Sequence, residues 1–255
     1  MVGKKDSSQL IQQEQYFFPY HYIPDTGKRM YLSRHWAFAS SYMAALGLVA
    51  ERLRPVSELI GPDWRHIDIG CGDGALVHHL TRVHGLAEGQ IDGVDIDDRA
   101  IDWARMFNPR SDLRVSDMTG LECGYHSASL IEVLEHVSPE LLSGFVGDAA
   151  KLLQPGGLMV VTVPSVVKKV ADKHFQHFSF EHITHVLEND FDQIVVMGFE
   201  REDWLTRAIF ALRSNPLVRI DAPILNQFVV TRLARLHTQQ ARCGRLFVTC
   251  RRKSG

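Results

Sequence analysis

The segment Ile67-Asp68-Ile69-Gly70-Cys71-Gly72-Asp73-Gly74 constrains this chain more than any other. A short strand-like run, His66 to Ile69, leads into three glycines at alternate positions, and a helix-like stretch begins near Ala75. Glycine permits a tight reversal and lets a ligand come close to the backbone. Between a strand and a helix, such a turn lies at the carboxyl end of a sheet, where open α/β folds take their ligands. The spacing overlaps with that of nicotinamide sites, and a ligand-free turn would use the same glycines, so the rest of the chain has to decide.

Beyond the turn, strand-like and helix-like units alternate. Ile91 to Ile96, Asp112 to Val115, Ser129 to Val133 and Leu158 to Val163 read as strands; the stretches to about His84-Gly85, Arg99 to Phe107 and Pro139 to Leu153 read as helices, the last stopped by Pro155-Gly156-Gly157. Nearly continuous apolar strands joined by helices predict a mostly parallel sheet covered on both faces. With 255 residues and 45% hydrophobic content, the chain can fill such a core. Arg34 to Leu59 predicts one or two helices ahead of the Gly61-Pro62 break, and Glu181 to Leu187 another. Gln193 to Met197 reads as extended, Trp204 to Arg213 and Leu225 to His237 as helices, and Arg245 to Arg251 as a last strand. The expected division is an N-terminal aromatic arm with helices over 1–62 and one domain over 63–255, carrying a helical insertion at about 201–240.

Two acidic strand ends refine the ligand. Asp95, after Gly93-Val94, is placed to accept both hydroxyls of a ribose. Asp117, one strand further, is placed to approach an adenine amine, with Met118 beside the ring. Together with Asp68 and the glycine turn they outline an adenosine pocket.

These residues carry a resemblance. Ile67 to Gly74 resembles the signature loop of class I S-adenosylmethionine methyltransferases, Gly93-Val94-Asp95-Ile96-Asp97 resembles their ribose-binding strand end, and Ser116-Asp117-Met118 their adenine-binding one. Lys151 to Gly157 is similar to their lead into strand five, and the likeness spans roughly His66 to Phe199. The resemblance implies a Rossmann-like α/β fold with a mostly parallel seven-stranded sheet, helices on both faces and a reversed seventh strand, supplied by Arg245 to Arg251. It implies S-adenosyl-L-methionine as cofactor, held by Asp68, Gly70, Cys71, Gly72, Asp95, Ile96, Asp117, Met118 and Glu132.

Methyl transfer from a sulfonium needs an aligned nucleophile and, for a hydroxyl, a proton acceptor, but no metal. Ile131 to Val137 places Glu132, Glu135 and His136 where strand four opens into the cleft. His136 is the general-base candidate, because a neutral imidazole takes a hydroxyl proton near neutral pH; a helix cap or surface hydrogen bond is the bland role for Glu135 and His136. His177, in the His174 to Ser179 stretch, is expected nearest the cleft as a second catalytic residue. The Glu132 to Val137 run resembles small-molecule O-methyltransferases, including those of the ubiquinone-pathway type, which points to a small or carrier-linked hydroxyl acceptor. A second resemblance assigns Glu132, Glu135, His136 and His177 to the metal set of methyltransferases that modify the 2'-hydroxyl at small-RNA 3' ends. A net charge of -2, from 28 Lys plus Arg against 30 Asp plus Glu, and the lack of a basic, aromatic-interleaved surface argue against a nucleic-acid partner. A protein that keeps the cofactor without turnover is a third reading.

The remaining features are structural. Tyr16 to Tyr31 reads as a loop whose rings either pin the arm to the domain or, through Tyr20, His21 and Tyr22, cover a substrate. Arg232, Arg235 and Arg242 read as a solvated helix face rather than a site for phosphate or lipid headgroups. Cys71, Cys123, Cys243 and Cys250 lack metal spacing and read as reduced. No leader-like start and no run of 18 apolar residues is present, so a soluble cytoplasmic protein is expected.

Overall fold

The computed structural model describes residues 32–213 and 222–254. The aromatic arm therefore lies outside the described residues. β1 (His66–Ile69) pairs in parallel with β2 (Ile91–Asp95) on one side and β4 (Tyr125–Ile131) on the other. β3 (Leu113–Val115) extends the sheet beyond β2, and β5 (Leu153–Pro164) extends it beyond β4, both again parallel. The last strand, β7 (Cys243–Arg252), runs antiparallel between β5 and β6 (Phe191–Arg201), which gives the order β3-β2-β1-β4-β5-β7-β6 in a seven-stranded sheet. The reversed final strand is thus present, two residues longer at its start than the apolar run suggests.

Alternation along β5 sorts side chains between two cores, as a strand buried on both faces requires. Met159, Val161 and Val163 meet Val146 and Ala149 of α4 (Pro139–Leu152) and Ile183 and Leu187 of α5 (Phe180–Leu187). Leu158 and Val160 share the opposite core with Leu46, Val49 and Leu53 of α1 (Leu32–Ile60), Leu76 and Leu80 of α2 (Ala75–Arg82), and Ile101 and Ala104 of α3 (Asp98–Phe107). Each such large side chain, fully buried, contributes roughly 1.5–3 kcal/mol.

Arg34 to Leu59 is one continuous helix, not two: α1 absorbs Pro55 in its interior. Its Ala44 packs on Val229 and Leu233 of α7 (Pro223–Leu233), which follows α6 (Trp204–Arg213) in the region between β6 and β7. The Pro155-Gly156-Gly157 turn does not simply separate helix from strand. It lies inside β5, where pairing with β4 shifts register between Leu153 opposite Tyr125 and Leu158 opposite Ser127. Among the described residues no helix is long and apolar enough to cross a membrane.

Candidate active site

The glycine turn opens at the carboxyl end of β1, in the centre of the sheet. Gly70 and Gly74 adopt left-handed φ of 73° and 81°. Neither position has room for a side chain: a Cβ on Gly70 would stand 2.5 Å from Val133 Cγ2, and one on Gly74 2.7 Å from Asn108 Nδ2. Backbone N–H groups of Gly70 and Cys71 both donate to the Val94 carbonyl, at 2.8 and 3.0 Å, which folds the turn toward β2. Asp95 completes the link. Its Oδ2 accepts from Gly72 N and its Oδ1 from Asp97 N, each at 2.9 Å.

Each Asp95 oxygen keeps a lone pair after those bonds, so the carboxylate still has acceptors for two hydroxyls. Burial raises its pKa, against the pull of its backbone donors. Beside it Ile96 is 55% exposed, an apolar surface open next to a half-buried acid. Met118, after β3, is buried at a left-handed φ of 74°, and its N–H donates to Ser116 Oγ at 3.0 Å. A sugar-hydroxyl acceptor, flanking apolar side chains and an open backbone turn fit the adenosine half of the cofactor. Asp117 is exposed, and its Oδ1 accepts from Thr119 N at 3.0 Å. Cys71 is buried, and burial, followed by Asp95 and Asp68, pushes its thiol well up, so it packs as a neutral group.

Glu132, expected beside the cofactor, has its carboxylate bonded within the sheet. It follows β4 at a left-handed φ of 55°, and its carboxylate reaches across β5 to β7. Oε1 accepts from Thr162 Oγ1 at 3.0 Å and Oε2 from Arg245 Nε at 2.8 Å. Arg245 also bonds Glu200, whose other oxygen accepts from Lys168 Nζ at 2.6 Å. Burial works against the Glu200 charge, but Arg245 and then Lys168 outweigh it and hold the carboxyl below its usual range. Nothing in the spacing of Glu132, Lys168, Glu200 and Arg245 announces this row, buried at Glu200 and Arg245 and half-buried at its ends; only pairing of β7 with both β5 and β6 assembles it.

The histidines are held by the loop between β5 and α5, which is pinned by Phe175 N to Glu135 O at 2.8 Å and Phe178 N to Pro164 O at 2.9 Å. His136 Nδ1 lies 3.0 Å from the Lys173 carbonyl. A carbonyl can only accept, so the proton is on Nδ1 and the lone pair on Nε2. Burial, then the Lys173 charge, pushes the His136 pKa down to about 4, keeping the ring neutral. His177 Nδ1 likewise donates to Lys168 O at 3.0 Å, and its Nε2 accepts from His174 Nδ1 at 2.9 Å.

This geometry does not bring the four residues of the expected metal set together. His177 has both nitrogens engaged and Glu132 is bound to Thr162 and Arg245; the groups that converge are Glu135, His136 and His174, with one ligand atom from each within 4.8 Å of the others. Buried Glu135 Oε2 has no hydrogen-bond partner among the described residues, and burial, then Glu132, raises the Glu135 pKa well above its usual value. Sequence reasoning misses His174, because spacing alone does not separate it from His177 in the same stretch.

A family described as "Methyltransferase domain" matches residues 35–195. The ubiquinone biosynthesis O-methyltransferase of Parvibaculum lavamentivorans is 31% identical over 125 residues, 46% of this chain and 45% of that protein. The chain thus aligns with about half the length of this curated relative. Among solved structures, the magnesium protoporphyrin IX methyltransferase of Synechocystis with bound SAH superposes with a TM-score of 0.60 at 14% identity, covering 96% of this chain and 95% of that one. A SAM-dependent methyltransferase from Archaeoglobus fulgidus superposes with a TM-score of 0.54 at 19% identity, over 81% and 94% of the two chains. With the family match running from α1 into β6 across the strands that form the glycine turn and the acidic cleft, the chain belongs to the S-adenosylmethionine-dependent methyltransferase-domain family.

Proposed function

We propose that this protein transfers the methyl group of S-adenosylmethionine to a hydroxyl oxygen of a small or carrier-linked acceptor. When bound, the cofactor supplies a methyl carbon made electrophilic by its sulfonium. The new O–C bond forms as the S–C bond breaks, and the hydroxyl proton must leave. The observation that carries the reading is His136, whose Nδ1–H is fixed on the Lys173 carbonyl so that its Nε2 lone pair is the site for that proton. The match to an O-methyltransferase supports oxygen as the acceptor atom. A ring held neutral is a weak base, which favours acidic hydroxyls such as phenols over alcohols.

The grouping of Glu135, His136 and His174 favours a second reading, in which those residues hold a divalent cation that binds the acceptor hydroxyl and lowers its pKa. His136 and His174 both keep Nε2 for such an ion, their Nδ1 atoms being held by Lys173 O and His177. Methyl-labelled cofactor offered to matched phenol, alcohol and amine acceptors, with and without exhaustive chelation, tests both. Phenol methylation that falls about 10²- to 10⁴-fold in His136→Ala, with cofactor affinity within a few fold of wild type, supports the base. Transfer only to amines overturns the oxygen reading, full activity after chelation overturns the cation, and cofactor binding with no turnover on any acceptor leaves a binding protein.

A further inference from the structure

Four polar residues form a row through the middle of the sheet. His66 and Asp68 alternate along β1, Ser127 and Ser129 along β4, and the register sets His66 opposite Ser127 and Asp68 opposite Ser129. Side chains two apart on a strand share a face, so all four point to the same side, the one covered by α1. His66, Ser127 and Ser129 are wholly buried and Asp68 nearly so. The His66 ring spans both serines, with Nδ1 3.0 Å from Ser127 Oγ and Nε2 3.0 Å from Ser129 Oγ. Ser129 Oγ donates to Asp68 Oδ1 at 2.6 Å. At the other end Trp64 Nε1 donates to Ser127 Oγ at 3.1 Å, its ring stacked on His66.

With Asp68 ionised, its end sets the direction of these bonds: a carboxylate only accepts, Ser129 has one proton to give and the neutral His66 ring carries one, while the Trp64 indole can only donate. Ser127 then accepts from Trp64 and gives its proton to His66 Nδ1, His66 carries its proton on Nε2 and gives it to Ser129, and Ser129 gives its own to Asp68. Chains aligned this way polarise each bond in turn. We propose that Trp64, Ser127, His66 and Ser129 form a one-way hydrogen-bond relay that presents Asp68 as an acceptor at the cofactor turn, so that residues at the amino-terminal end of β1 and β4 set how tightly the cofactor's cationic end is held.

The need for such support lies in what surrounds Asp68. Burial opposes its charge, as does Asp95 at the end of β2; the Ser129 bond opposes both, and the carboxyl settles at about 7. In the turn, burial and then Asp95, Asp68 and Asp73 keep the Cys71 thiol neutral. His66 is pushed down to about 3 by burial and stays neutral, so it polarises Ser129 without adding charge. Among the described residues no cation acts on Asp68, and the aligned dipoles take that role. Trp64, Ser127, His66 and Ser129 are positioning residues here; none reaches the cofactor cleft itself.

The relay's role in binding rests on the cofactor reading, but its first test does not. In cofactor-free protein with ¹³C-labelled aspartate, the Asp68 carboxyl is titrated by NMR, assigned with Asp68→Asn. Ser129→Ala is expected to move its midpoint up by about one to two pH units, the worth of one hydrogen bond to a charge. Ser127→Ala, two bonds further back, should move it the same way by less, and Ser129→Thr, which keeps the hydroxyl, should restore it. An Asp68 midpoint that moves in Ser129→Ala but stays fixed in Ser127→Ala overturns the relay, because the effect is then one local bond. A midpoint unmoved in both overturns it outright. Calorimetry with S-adenosylmethionine supplies the second readout. A midpoint raised from about 7 to about 8.5 makes Ser129→Ala bind about 15-fold more weakly than wild type at pH 7 and within about twofold at pH 9.5. A deficit constant across pH refutes the electrostatic role, whereas a wild type that binds no cofactor while the NMR midpoints shift as stated refutes only the cofactor reading.

Discussion

Replacing Arg245 with methionine probes an arginine shared by two carboxylates. Arg245 is 8% exposed and joins Glu132 at the cleft to Glu200, which is 3% exposed. Without it Glu200 keeps Lys168, and among the described residues Glu132 keeps one hydrogen bond, from the Thr162 hydroxyl. Stranding one member of a buried ion pair costs about 3–5 kcal/mol, a large share of the roughly 5–15 kcal/mol by which a domain is stable. In urea, where the slope for small proteins is about 1–3 kcal/mol per molar and larger for bigger chains, the unfolding midpoint should fall by about 1–2 M at pH 7.5 with the slope unchanged. Adding Glu132→Gln should recover more than half the loss. A loss below about 1 kcal/mol, the scale of an exposed pair, would refute the reasoning, as would a loss that Glu132→Gln leaves unchanged.

Gly70→Ala should destabilise by more than the roughly 1–2 kcal/mol of a left-handed alanine, because the new methyl meets Val133 Cγ2; adding Val133→Ala should relieve only the clash, and equal melting temperatures for the single and double variants would contradict that. His79 is buried, and burial, then His84 and His78, push its pKa down to about 4. Its contribution to stability is therefore complete above the unfolded value near 6.5 and is lost as pH falls toward 4, at no more than about 1.4 kcal/mol per pH unit. Wild type should accordingly lose stability relative to His79→Leu across that window, and parallel denaturation curves at every pH would count against it.

The cofactor side of the fold is legible in the sequence because its signals are local. A glycine turn, an acid at the next strand end and the apolar strands between them can be read from a few adjacent residues, and the structure places Gly70, Gly72, Asp95, Ile96 and Met118 at neighbouring carboxyl ends of β1, β2 and β3. Pairing across the sheet is not legible. Glu132 resembles a cofactor contact in sequence, yet Arg245, 113 positions away, takes its carboxylate. His174 and His177 are told apart only by the partner each ring nitrogen finds in the fold. The alternation of His66 with Asp68 and of Ser127 with Ser129 is a visible signal: polar residues at every second place in central strands must find partners inside the core. α1 runs unbroken through Pro55, where local propensity favours a division and packing on both α2 and the sheet prevails.

The most direct test of the cofactor assignment is calorimetric titration of S-adenosylmethionine into wild type and Asp95→Ala, without metal or acceptor. One site is expected in wild type and, with two charge-assisted acceptors removed, affinity lower by about 10- to 100-fold in Asp95→Ala. Absence of binding to wild type, or equal affinity in the two proteins, would contradict a cofactor site built on the glycine turn and Asp95.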